Sequence, residues 1–314
     1  MAILPNRGIK QADDLWDAGE PSLSIPPHSV PLDVSGRVCV TPPYFALRNV
    51  RQILPGIATA SVYRESDVGR QASNISFAEA GRHMAILGLC AASSLNPNPG
   101  RHYYLARTVH GEWLAPARRE PTPAALECRA KAAFDDRRHR HATARAVILG
   151  PDGTPEIRMT VRYEVIPERI FARLFSTHAA ATGQTSDNPY RRRLPFDRIT
   201  VDDESVSASL TVTPDLCPGH FDGYPALPAS IIGTAMTSVF DEFLAKNNPS
   251  ARWTPTTYQF GARELAWVGK TMDVSVELVP APIHQNHILQ ATVRIGADVI
   301  STLDMRIQLI SGDE

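Results

Sequence analysis

Two stretches of this chain are too apolar to lie on a surface as helices. Met84-Ala-Ile-Leu-Gly-Leu-Cys-Ala-Ala and Ser230-Ile-Ile-Gly-Thr-Ala-Met-Thr-Ser-Val-Phe are apolar nearly all round, the pattern of helices buried on every side. The first belongs to a helix expected over about 76–95, opened by Ser76 with Glu79 three residues on, the capping-box spacing. The second belongs to a helix over about 229–246. A run of alternating segments follows each helix. After the first come Tyr103–His110, Leu126–Phe134, Ala142–Leu149 and Ile157–Val165. After the second come Tyr258–Glu264, Met272–Leu278, Ile288–Ile295 and Val299–Leu309. The alternation predicts strands. Shorter strands, Phe45–Ile53 with Ile57–Tyr63 and then Ser205–Val212, precede the helices, and Gly150-Pro-Asp-Gly153 and Gly296-Ala-Asp298 are the expected hairpin turns. A strongly curved antiparallel sheet wrapped around one helix buries such a helix, and the chain carries that order of elements twice.

Proline-rich residues 20–32 make residues 1–34 an extended arm. The polar stretch 181–193 (ATGQTSDNPYRRR) is a linker between a first lobe, 35–180, and a second, 194–314. With 314 residues, 43% hydrophobic and 21% charged, the chain is globular. A net charge of −1 gives no field for nucleic acid. No segment approaches a membrane span. The scattered cysteines Cys39, Cys90, Cys128 and Cys217 suit a reduced, cytoplasmic protein. The spacings His139/His141 and His284/His287 predict surface histidines and no metal site.

The loop Cys217-Pro-Gly-His220-Phe-Asp-Gly223-Tyr-Pro-Ala-Leu-Pro228 sets a histidine just before the second helix. Its His220-Phe221, Gly223, Pro225 and Pro228, with the opening segment Leu194-Pro-Phe-Asp-Arg198-Ile199, resemble the hotdog-fold β-hydroxyacyl-ACP dehydratases over about 194–245. The resemblance implies an α+β double hotdog, two curved antiparallel sheets each wrapped around a central apolar helix. It also implies a helix acid about fourteen residues after the histidine, where this chain has Thr234. In the first half, Phe77-Ala-Glu79-Ala80-Gly-Arg-His83 is similar to the family's helix segment, with Glu79 at the acid position; the position matching His220 there is Glu65.

What the resemblance implies is a hydro-lyase with one composite site. His220 would be the base, Glu79 a protonated acid and His83 its orienting neighbour, with the two catalytic groups facing each other across one pocket. The N–H of Ala229, within the loop held by Gly223 and Pro228, would receive the oxyanion. Phe221, Tyr224 and Thr234 would line the pocket. The substrate would ride on the phosphopantetheine of an acyl carrier protein or CoA, with no other cofactor, no metal and no membrane, and the protein could form a homodimer. Arg191-Arg-Arg193 reads as a solvated linker run that could meet an acidic carrier or a CoA phosphate. Two alternatives stand beside this: a hotdog acyl-thioesterase working from Glu79, and a non-catalytic acyl-binding protein.

Overall fold

The structure, a computed structural model, describes residues 29–117, 125–180, 188–280 and 286–310. Most of the expected arm (1–28) and most of the expected linker (181–187) lie outside them, as does His284. The first half contains strands β1 (Val30–Pro31), β2 (Arg48–Leu54) and β3 (Ile57–Val62), helix α1 (Phe77–Leu95), strands β4 (His102–Trp113), β5 (Leu126–Phe134), β6 (His141–Leu149) and β7 (Pro155–Pro167), and helix α2 (Glu168–Leu174). The second half contains β8 (Arg198–Val201), β9 (Ser205–Thr211), β10 (Ala226–Leu227), helix α3 (Ala229–Asn247), β11 (Arg252–Ala262), β12 (Ala266–Trp267), β13 (Thr271–Pro280), β14 (Asn286–Ile295) and β15 (Asp298–Ile310).

The expectation of two separate sheets is corrected. Thirteen strands form one antiparallel sheet in the order β1-β2-β3-β5-β6-β7-β4-β11-β15-β14-β13-β9-β8, and β10 and β12 pair on their own. The halves join where β4 meets β11, in a register that puts Val109 opposite Phe260 and Gly111 opposite Tyr258. Position 111 must be glycine here, because a Cβ would come within 2.0 Å of the Tyr258 ring. That ring packs edge-on against Phe77 with centroids 4.8 Å apart. The seam therefore packs directly on the first residue of α1.

Fifteen of the nineteen residues of α1 are buried, and each large aliphatic among them contributes about 1.5–3 kcal/mol. Gly88 lets the helix sit close on the sheet: its missing Cβ would lie 2.8 Å from Ala144 and 2.5 Å from the Tyr163 hydroxyl, which donates to the Ala85 carbonyl at 2.6 Å. Ser76 caps the helix start by accepting from the Glu79 N–H at 3.4 Å, and the Gln71 side chain takes the Phe77 N–H at 2.8 Å. The carboxylate of Glu79 does not complete the capping box; it reaches the preceding loop instead.

Helix α3 departs from the expectation of all-round burial. Ile231, Ile232, Ala235, Met236, Val239, Phe240, Phe243 and Leu244 form its buried face. The opposite stripe, Ser230, Thr234, Thr237, Ser238 and Asp241, borders a cavity. Threonine and serine are compatible with that face because their hydroxyls fold back on the helix, Thr234 onto the Ser230 carbonyl (2.9 Å) and Thr237 onto that of Gly233 (3.1 Å). Gly233 brings α3 against Ala78 and Phe77 of α1, so the two helices wall one space.

Candidate active site

That space is a cavity of about 910 Å³ between the N-terminus of α1, the polar stripe of α3 and residues 189–196. Charged and hydroxyl groups reach it from both halves: Ser66, Glu79 and Arg82 from the first, Ser230, Thr234 and Asp241 from the second. Its size is ordinary for a small-molecule site.

Glu79 is the best-defined reactive group there. Its side chain is 4% exposed. Oε1 accepts the Glu65 N–H at 2.5 Å and lies 3.5 Å from Nε2 of His83; Oε2 accepts the Ser66 hydroxyl at 2.7 Å and the Ser66 N–H at 3.3 Å. Burial alone would push the carboxyl up, but the His83 contact, the Ser66 hydroxyl and the Glu65 N–H outweigh it and hold Glu79 below its ordinary value. His83 is wholly buried, and burial lowers its imidazole below the ordinary value against the pull of Glu79. Neither of its ring nitrogens has a hydrogen-bond partner among the described residues.

Around this pair runs a compensating network. Arg82, 2% exposed, pairs with Glu65 and stacks over the Tyr190 ring at 4.1 Å. Glu65 also accepts from Arg191 (3.1 Å) and Asn188 (3.2 Å). Glu65, Glu79 and His83 lie close enough to suggest a metal site. Their carboxylate lone pairs, however, are already taken by two guanidinium groups, an amide, a hydroxyl and backbone N–H groups, a donor set that suits hydrogen bonding and not a cation.

The arginine run is exposed at Arg191 and Arg193, as expected of it, but two of its members are also paired. Arg191 holds Glu65, Arg192 pairs with Asp215, and Tyr190 between them and Arg82 is buried. Arg193 alone of the three has no ion pair among the described residues.

The predicted site residues divide into two places. Glu79 and Thr234 line the cavity, and His83 touches Glu79 from behind. His220, Phe221, Gly223, Tyr224, Pro228 and Ala229 are not among its lining residues. His220 is buried, its Nδ1 3.1 Å from the Ala226 carbonyl, which makes Nδ1 the protonated nitrogen. Its ring stacks on Phe221 (3.8 Å) and meets Tyr44 edge-on (4.8 Å). Burial pulls the imidazole down from 6.5 to about 4. Phe221 and Tyr224 pack with Tyr103 and Phe171 in a second apolar cluster. Between His220 and Glu79 the contacts pass through Tyr44, Tyr190 and Arg82, and no hydrogen bond or ion pair joins the two.

Sequence reasoning missed Ser66, Arg82, Tyr190 and Asp241. Asp241 shares the cavity face of α3 with Thr234, two turns on. It accepts from the Arg70 N–H (3.0 Å) and the Trp253 indole (2.8 Å), and burial raises its carboxyl to about 6. A charged residue inside an apolar helix was the available signal for Arg82 and Asp241, because such a residue needs a partner. Ser66 carries no comparable mark in the sequence.

No protein-family model and no curated protein matches the sequence. Solved structures do match its shape. The 12:0-ACP thioesterase from Umbellularia californica superposes with a TM-score of 0.53 at 9% identity, over 81% of this chain and 94% of that one. An acyl-ACP thioesterase from Bacteroides thetaiotaomicron gives 0.51 at 12%, over 81% and 98%. A conserved protein of unknown function with hot dog fold from Alicyclobacillus acidocaldarius gives 0.50 at 13%, over 81% and 93%.

The hydro-lyase expectation is corrected on two grounds. The two similar structures above with a named activity are thioesterases, and the Glu65 N–H and Ser66 hydroxyl favour the ionised form of Glu79, the opposite of what a proton donor needs. Among the described residues no helix is long and apolar enough to cross a membrane. The long helices laid on a large antiparallel sheet, together with these likenesses, make this chain a hotdog fold.

Proposed function

We propose that this protein is an acyl-thioesterase that uses Glu79 as an ionised base. The observation that carries the reading is the state of Glu79, a carboxylate kept ionised at the wall of a cavity by Glu65, Ser66 and His83. An ionised carboxylate can take a proton on the way to hydrolysis; it cannot give one to a departing hydroxyl. The fold is compatible with the same chemistry, since two proteins of similar shape are named acyl-ACP thioesterases.

In this reading the chain is a double hotdog whose lobes, 35–180 and 194–314, share one cavity. The acyl group lies along the α3 stripe, and the thioester carbonyl reaches Glu79 at the start of α1. The thiol carrier, acyl carrier protein or CoA, extends past residues 191–193, where Arg193, without an ion pair among the described residues, can meet a phosphate. His220 holds its loop against Tyr44 and Ala226 and takes no part in proton transfer. The test supplies saturated and 3-hydroxyacyl thioesters of CoA and of a carrier protein, and follows thiol release alongside product mass. Free acid and free thiol are expected from both classes. Loss of water with the thioester intact would overturn the proposal.

A further inference from the structure

We propose that Ser66 is the nucleophile, and that hydrolysis passes through an ester of the acyl group with Ser66 Oγ. The inference rests on the thioesterase reading of the Glu79 cavity.

The starting point is how full the Glu79 carboxylate is. It offers about four lone-pair directions. Glu65 N–H takes one direction of Oε1, which the His83 ring crowds from 3.5 Å away, and Ser66 N–H and Ser66 Oγ–H occupy those of Oε2. Three hydrogen bonds and a side chain only 4% exposed leave little of the carboxylate open to a water molecule. The proton that Glu79 is placed to remove is the one it already holds, that of the Ser66 hydroxyl at 2.7 Å. Both residues line the cavity, but Ser66 is half-buried and Glu79 buried, so Ser66 is the more accessible member of the pair.

Two neighbours complete the arrangement. Ser76 Oγ, 3.2 Å from Ser66 Oγ, gives the hydroxyl a second contact that fixes its direction. The N–H groups of the first turn of α1 are mostly spent: Phe77 on Gln71, Glu79 on the Ser76 side chain and Ala80 on the Ser76 carbonyl. The N–H of Ala78, a residue that also lines the cavity, has no acceptor among the described residues. It is therefore free to receive an oxyanion beside Ser66.

The steps balance. Ser66 Oγ attacks the thioester carbonyl carbon while its proton passes to Glu79 Oε2. The C–S bond breaks, and the thiolate leaves with that proton as a thiol. With Ser66 esterified, Oε2 has lost its hydroxyl partner and can accept a water. Glu79 takes the water proton, hydroxide adds to the ester carbonyl, and the acid leaves as Ser66 recovers its proton.

The experiment uses the full chain with hexanoyl-CoA. Acid-quenched samples are measured by intact mass and peptide mapping, with hydroxylamine added in a parallel series. We expect a hexanoyl adduct on the peptide bearing Ser66, and hexanoyl hydroxamate formed at the expense of hexanoic acid. We also expect Ser66→Ala to lose thiol release by at least about 100-fold with its melting transition kept. Thiol release by the wild type with neither adduct nor hydroxamate, or a folded Ser66→Ala protein within about threefold of wild type, would overturn Ser66 as nucleophile and leave the thioesterase reading standing. Absence of thiol release by the wild type from every thioester would overturn both.

Discussion

His220 is enclosed by Tyr44, Phe221 and the Ala226 carbonyl, and the cost of charging it there can be measured. Burial lowers its titration from 6.5 to about 4, and each pH unit of difference between folded and unfolded states corresponds to about 1.36 kcal/mol. The unfolded chain binds the proton more tightly, so stability is intact above pH 6.5 and falls as the solution is acidified towards 4. Integrated down to pH 4.5, the single histidine should remove about 2.5 kcal/mol. His220→Asn keeps a donor near the Nδ1 position for Ala226 and deletes the titrating group. The lost ring should cost about 1–3 kcal/mol at every pH. Asp241, raised by burial to about 6, acts in the opposite sense over the same range, since its protonation favours the folded state. The difference between wild type and variant cancels that contribution. The assay is urea unfolding of both proteins at several pH values from about 7.5 to 4.5. The difference between the two curves should move by about 2.5 kcal/mol in the variant's favour on acidification, closing or reversing the initial gap. A gap that does not change with pH would refute the assignment of His220 as a buried neutral histidine.

Three further outcomes follow from the same contacts. Gly88→Ala places a methyl 2.5 Å from the Tyr163 hydroxyl and 2.8 Å from Ala144; overpacking of about 1–3 kcal/mol should exceed the helix-propensity gain of about 1 kcal/mol, so the melting temperature should fall. Arg82→Met leaves Glu65 with Asn188 and Arg191 only and should cost about 3 kcal/mol, most of it recovered when Glu65→Gln is added; denaturation of the two single variants and the double variant tests this. Because Glu79 is held below the ordinary 4.5, kcat/KM for thiol release should show no acid limb between about pH 5 and 7, and a limb near pH 6 would point to a different base.

Much of the architecture was legible because strand alternation and two apolar helices are local patterns. The strand Leu126–Phe134 was read with its observed limits, and Ser76 caps α1 as its spacing implied. The joining of the halves was not legible: the β4–β11 pairing depends on Gly111 fitting beneath Tyr258, a long-range match that no periodicity records. At the site, Glu79 was reached through the likeness of Phe77-Ala-Glu79-Ala80-Gly-Arg-His83 to a family's helix segment. The place of His220 away from that cavity was not legible, because the loop pattern around it marks a tight turn as readily as a catalytic one. Gly219 adopts a positive φ and packs so closely on Thr41 that a Cβ would lie 2.2 Å from its carbonyl oxygen. The glycine of that loop is thus required by packing on Thr41. Ser66 was hidden for the opposite reason, since an isolated serine in a polar loop has no pattern until the fold brings it to Glu79.

The most direct test of a catalytic carboxylate is thiol release by Glu79→Gln. Glutamine keeps an oxygen for the Glu65 N–H and can turn its amide towards Ser66 Oγ, so the loop should stay in place while the base is removed. With the thioester that the wild type turns over best, we expect a loss of about 100-fold to 10,000-fold in kcat and a melting temperature close to that of the wild type. A folded Glu79→Gln protein that releases thiol within about threefold of the wild-type rate would contradict the assignment of Glu79 as the base.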